Sequence, residues 1–126
     1  LKIAQRLNNQ RPQDLAPLNV CIQINIDNEP TKAGIMPEAL LETAAAIAEL
    51  PNLRLRGIMA IPQATPDVAQ QTATFLHLQR LFNQLTERYC DVDTLSMGMS
   101  GDLAPAIAAG STMVRVGTGI FGARNT

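Results

Sequence analysis

The chain has 126 residues, of which 46% are hydrophobic and 17% charged, with a formal net charge of -1 at pH 7. That balance is expected of a globular protein and leaves no basic footprint for nucleic acid or an anionic membrane. Its apolar runs are strand-length or broken by charge, so it carries neither a membrane-spanning pattern nor a secretory h-region, and the expected compartment is the cytoplasm.

The first ten residues, LKIAQRLNNQ, already show helical periodicity, with Ile3, Ala4 and Leu7 on one side and no initiator methionine. Together with the order of the elements that follow, this predicts that residues 1–126 are the second half of a larger single domain. LNVCIQINI, Leu18–Ile26, alternates apolar and polar side chains and reads as a strand. A loop, DNEPTKAG, leads to the helix MPEALLETAAAIAEL, with Pro37 near its first turn, Glu38 set against the helix dipole, and a stripe of Leu40, Leu41, Ala44, Ile47 and Ala48. Pro51 ends that helix, and LRLRGIMAI, Leu53–Ile61, is the second strand.

The longest helix is expected from Pro66 to about Arg88, with Thr65 as N-cap and Val68, Thr72, Phe75, Leu78, Phe82 and Leu85 inward. VDTLSM, within residues 92–97, is the third strand. Pro105 belongs in the first turn of a short helix capped by Asp102 and closed by Gly110, because its missing N–H is harmless only there. TMVRV, residues 112–116, is the fourth strand, and GIFGA begins one last turn. Cys21 and Cys90 lack metal-type spacing and are expected to be free thiols serving as small apolar filler. His77 has no second candidate ligand and is expected on the surface or in packing. Glu87, Arg88, Asp91 and Asp93 read as a solvated helix end and loop.

Strands alternating with helices require a parallel sheet, either doubly wound or part of a (β/α)8 barrel. No G-x-G-x-x-G follows the first strand, whereas glycines follow the last two, where barrels commonly bind phosphate. The fold expected is therefore α/β, the second half of a (β/α)8 barrel in about four βα units, since a whole barrel needs roughly 200 or more residues.

The stretch LSMGMSGDLAPAIAAGSTMVRVGTGIFGAR, with LRLRGIMAIP and the TKAG loop upstream, resembles the YggS/PROSC-type pyridoxal phosphate homeostasis proteins, which share the alanine racemase N-terminal barrel fold. The resemblance covers essentially the whole chain, and its specific signal is the pairing of GMSxD with VRxGTxIFG. It implies that pyridoxal 5'-phosphate is the cofactor, with Arg115 facing the pyridine nitrogen and keeping it unprotonated, because adjacent positive charges are disfavoured. Gly117 and Thr118 would hold the phosphate, Ser96 and Ser100 would add hydrogen bonds from the loop after the third strand, and Met97 and Met99 would line the site. The family's Schiff-base lysine lies in the half absent from this sequence. Of Lys2 and Lys32, Lys32 stands in a loop where it could contact the cofactor, or be an ordinary solvated lysine.

Each role has a plainer counterpart. Arg115 could pair with a carboxylate at the barrel mouth, Gly117 could only turn the chain, and Ser100 could form a local turn. For the parent protein the resemblance implies a carrier that binds and releases the cofactor without turnover, passing it to apo-enzymes that use it. The alternatives are an amino-acid racemase-like enzyme, which needs a second acid/base group such as a tyrosine, and another phosphate-ligand barrel enzyme. The only tyrosine, Tyr89, ends a helix and is expected on the stability face. An isolated half-barrel would expose strand edges, so self-association or pairing with the missing N-terminal half is expected.

Overall fold

Each short apolar run leaves a strand with one face to bury, and the intervening helices supply what buries it. The computed structural model describes residues 1–29, 33–117 and 120. Its elements are α1 (Lys2–Gln10), β1 (Leu18–Gln23), a 3-10 turn (Pro37–Ala39) running into α2 (Leu40–Ala48), β2 (Leu53–Met59), α3 (Val68–Thr86), β3 (Thr94–Met99), α4 (Leu103–Ala108) and β4 (Met113–Arg115). The strands pair in parallel in the order β1-β2-β3-β4. That order contains no reversal among the described strands, so the same-handed crossovers bring their helices to one face of the sheet. None of the described helices is long and apolar enough to cross a membrane.

The core lies between that face and the helices. Ile22, Ile58, Leu95 and Met97 come from the sheet, Leu40 and Ala44 from α2, Phe75, Leu78 and Leu85 from α3, and Ala106 from α4. The inward side of α3 differs from the expected one: Leu81 is buried, whereas Val68 and Thr72 are exposed. The helix starts later because Asp67, not Thr65, caps it, accepting hydrogen bonds from the N–H groups of Ala69 and Gln70. The Thr65 hydroxyl instead accepts one from the Asp67 N–H. The third strand runs two residues beyond its expected end. Both cysteines are free and exposed, so neither fills the core; protein packed around the Cys21 sulfur still pushes its thiol up, against the pull of Arg56. His77 is exposed on α3. Lys32 and most of the GIFGA segment lie outside the described residues.

A bulge interrupts the alternation of β2. Val20 pairs with Leu55 but Cys21 pairs with Gly57, so Arg56 is an extra residue. The bulge turns Leu53, Leu55 and then Ile58 toward the helices and leaves Arg56 to bond Asp93, which is exposed in the loop before β3 as expected but is paired there. This pairing, reinforced by the Thr94 hydroxyl, holds the Asp93 carboxyl below the usual carboxylate range and raises Arg56. Beside the bulge, a Cβ on Gly57 would stand 1.6 Å from the Thr94 carbonyl oxygen, so the two strands approach only because residue 57 is glycine.

Two outcomes follow from this packing. Gly57→Ala should lower stability by about 3 kcal/mol, since β3 must move to admit the methyl, with a loss under about 1 kcal/mol in denaturant unfolding counting against the close approach. Asp93 has a lowered value in the folded state, so its contribution is present above its unfolded value and fades as pH falls through the folded one. The melting-temperature gap between the wild type and Asp93→Asn should accordingly be open near neutral pH and close on acidification below about pH 4.

Candidate functional site

Parallel strands present all their C-terminal ends at one edge of the sheet, and the loops leaving that edge can build a shared site. Arg115 is the last residue of β4, and its Cα is paired with Met99 on β3. Its side chain crosses β3 to the residue after β2, where Nη2 donates to the Ala60 carbonyl at 3.2 Å. The Arg115 Nε is buried and has no hydrogen-bond partner. A guanidinium held at one corner, with another N–H sequestered from water, is a donor waiting for an acceptor.

The other expected site residues separate. Ser96 is buried within β3, not in the loop after it, because the strand continues to Met99. It faces away from the helices, paired between Met59 and Met113. Met97 alternates to the opposite face and is fully buried in the core, so it does not line the site. Met99 is 42% exposed at the edge. Ser100 and Gly101 form the turn after β3, and Gly117 follows β4; a Cβ on Gly101 or Gly117 would meet nothing within 4 Å. The strand end therefore gathers Ser96, Met99, Ser100, Arg115 and Gly117, while Thr118 lies outside the described residues.

Three features that hold this edge were not anticipated. Gly98 has φ +100°, and a Cβ there would stand 2.7 Å from the Ala106 Cβ, so β3 bends against α4 where only glycine fits. The Ser111 hydroxyl donates to the Met97 carbonyl at 2.6 Å, and the Thr112 hydroxyl accepts from the Leu95 N–H at 2.8 Å, clasping β3 to β4 around the bend. Asp102 places no side-chain bond in α4; its carboxylate instead accepts from the Met99 N–H at 2.7 Å. The Ser-Thr pair before β4 is the only sequence signal for this clasp, through the habit of such residues to bond nearby backbone. At the same edge, Asp27 accepts from the Gln63 N–H at 2.5 Å, tying the loops after β1 and β2. Asn25 closes the first loop, donating to the Glu29 carbonyl at 2.7 Å.

The arrangement fits pyridoxal 5'-phosphate in its donor set: an uncommitted guanidinium N–H for a ring nitrogen, and open glycine turns on neighbouring loops for an anion. Residues 1–125 match the family described as alanine racemase, N-terminal domain. The chain is 57% identical over 125 residues to the pyridoxal phosphate homeostasis protein of Escherichia coli strain K12, covering 99% of this chain and 53% of that one. It thus spans about half the length of the curated relatives it matches. PipY of Synechococcus elongatus PCC7942, solved without PLP, superposes with a TM-score of 0.85 at 30% identity, covering 96% of this chain and 57% of PipY. PipY with PLP bound gives 0.73 at 29% identity over 96% of this chain and 53% of PipY. A crystal structure of an unknown protein from Bifidobacterium adolescentis gives 0.86 at 31% identity, covering 95% and 49%.

The orphaned Arg115 N–H has a stability consequence. A buried donor without a partner costs about 1–3 kcal/mol, which the single bond to Ala60 offsets by about 1. Arg115→Met should therefore leave thermal stability unchanged or raise it. A drop of more than about 1 kcal/mol would mean that the guanidinium is a structural tie.

Proposed function

Because the chain belongs to the alanine racemase N-terminal domain family, we propose that it is the C-terminal half of a (β/α)8 barrel domain that binds pyridoxal 5'-phosphate at the C-terminal edge of its strands. The observation that carries this reading is the buried, unpartnered Nε of Arg115, the last residue of β4. In this assignment Arg115 donates to the pyridine nitrogen and, being permanently charged, keeps it unprotonated. Gly117 and Thr118 hold the phosphate with Ser100, Ser96 contributes a hydroxyl from β3, and Met99 flanks the ring. When bound, the cofactor supplies an aldehyde for an amine, and its main lysine belongs to the N-terminal half. Lys32 is assigned a secondary, transient contact with it.

The whole protein is then a carrier that sets the level of the free cofactor in the cytoplasm and delivers it to apo-enzymes, not a racemase. Arginine opposite the ring nitrogen weakens the ring as an electron sink, which suits holding better than proton abstraction. Tyr89 favours the same choice: it lines a surface cavity together with Leu53 and Arg54 near the start of β2, at the edge opposite Arg115. A racemase needs a second acid/base group beside the reacting carbon, and Tyr89 is too remote to be one.

The test is titration of the full-length protein with pyridoxal 5'-phosphate, followed by borohydride reduction and peptide mapping. A saturable visible band, an adduct on a lysine outside residues 1–126 and no racemisation of alanine are expected. Turnover of alanine would make the protein an enzyme, and absence of a saturable band would reject the cofactor. For residues 1–126 alone, the half-barrel reading expects association with itself or the other half, and a cooperatively folding monomer would contradict it.

A further inference from the structure

At the edge of the sheet opposite Arg115, we infer a second binding site, one that takes a small monocarboxylate with an apolar body between Arg54 and Arg88. The site is a cavity of about 310 Å³ at the start of β2, whose apolar lining comes from Pro17, Ala48, Leu53 and Leu55. Arg54, Arg88 and Asp91 bring charge to the same lining, and Tyr89, packed against the core, adds a ring. An apolar cavity of this size with a few charged groups suits a small ligand. All of its lining residues lie between positions 17 and 91, so the site owes nothing to the strand ends that carry Arg115.

The two guanidiniums are the reason to expect an anion. Arg11, Arg56 and Arg115 each donate within the fold, to Ala16, Asp93 and Ala60. Among the described residues, Arg54 and Arg88 form no ion pair or side-chain hydrogen bond, not even with Asp91 in the same lining. Two like charges around one cavity repel, and a carboxylate between them relieves the repulsion while matching the planar guanidinium fork. Two arginines against one aspartate leave the lining with one excess positive charge, which a monoanion neutralises. A dianionic phosphate ester would instead place surplus negative charge beside Asp91. The frame is already rigid: the Tyr89 N–H donates to the Leu85 carbonyl at 2.9 Å, Val92 is buried, and the Arg56 Nε donates to the Asp91 carbonyl at 3.1 Å. Arg54 stands between buried Leu53 and Leu55 on β2, so alternation turns it out of the core. Binding therefore has side chains to order but little backbone.

The test is titration of 15N-labelled full-length protein with 4-methylpentanoate, a singly charged acid with a branched apolar chain, read on the backbone amides of Tyr89, Cys90 and Asp91. Saturable shifts with a dissociation constant of about 5 mM or tighter are expected, with the neutral 4-methylpentanamide and the doubly charged isobutyl phosphate each about fivefold weaker or more. Arg54→Gln and Arg88→Gln should each weaken the acid by about fivefold or more. Both side chains are exposed, so both variants should fold. Affinity for pyridoxal 5'-phosphate should stay within about twofold of wild type in both. A parallel loss for pyridoxal 5'-phosphate would place the arginines in the cofactor site and overturn the inference. It is equally overturned by no saturable shift up to about 50 mM acid, by equal response to acid and amide, by tighter binding of the phosphate ester, or by unaltered binding in both variants. A protein that shows the expected shifts but fails to bind pyridoxal 5'-phosphate keeps this site and loses the cofactor reading alone.

Discussion

Parallel strands cannot be joined by hairpins, and crossovers of one hand taken in sequence all leave their helices on the same side. That constraint governs the rest of this molecule. It assigns Ile58, Leu95 and Met97 to a core shared with α2, α3 and α4, and it leaves Ser96, Met113 and Arg115 on the face that the helices do not cover. It also brings the turns after β3 and β4 side by side, because neighbouring strands end together.

Glycines let the backbone meet this constraint where side chains would forbid it. Gly57 lets β2 lie against the Thr94 carbonyl, and Gly98 lets β3 bend over α4. Around the second of these, Ser111, Thr112 and Asp102 take up backbone groups that the bend removes from the regular ladder. The edge is thus held by side chain to backbone bonds, while the Arg115 Nε is left unpaired. Such an arrangement stores an unfavourable term at one atom, a pattern associated with sites prepared for a ligand.

Much of the architecture was legible in the sequence because it rests on local periodicity. The parallel α/β order, the long helix inward at Phe75, Leu78 and Leu85, the short helix around Pro105 and the closing Gly110 all follow from spacing and turn chemistry. Facing and register were less legible. Met97 was expected beside the ligand and lies in the core, because alternation cannot be phased until the end of β3 is known. The extra residue at Arg56 depends on pairing with β1, and its ion pair joins residues 37 positions apart. Asp102 does occupy the expected N-cap position of α4, but its carboxylate turns back to the Met99 N–H, a direction that residue type alone does not reveal. The clustering of Ser96, Met99, Ser100, Arg115 and Gly117 at one strand edge rested on family resemblance, since no local pattern links the two segments.

The central claim is that the unpaired Arg115 N–H is reserved for the ring nitrogen of pyridoxal 5'-phosphate. Its most direct test is the 15N–1H resonance of the Arg115 Nε in full-length protein, assigned through Arg115→Lys and followed through titration with the cofactor. A large shift of that resonance, with slower exchange with water at saturation, is the expected result. A resonance unchanged at saturation would contradict the claim and leave Arg115 as a strand-edge tie to Ala60.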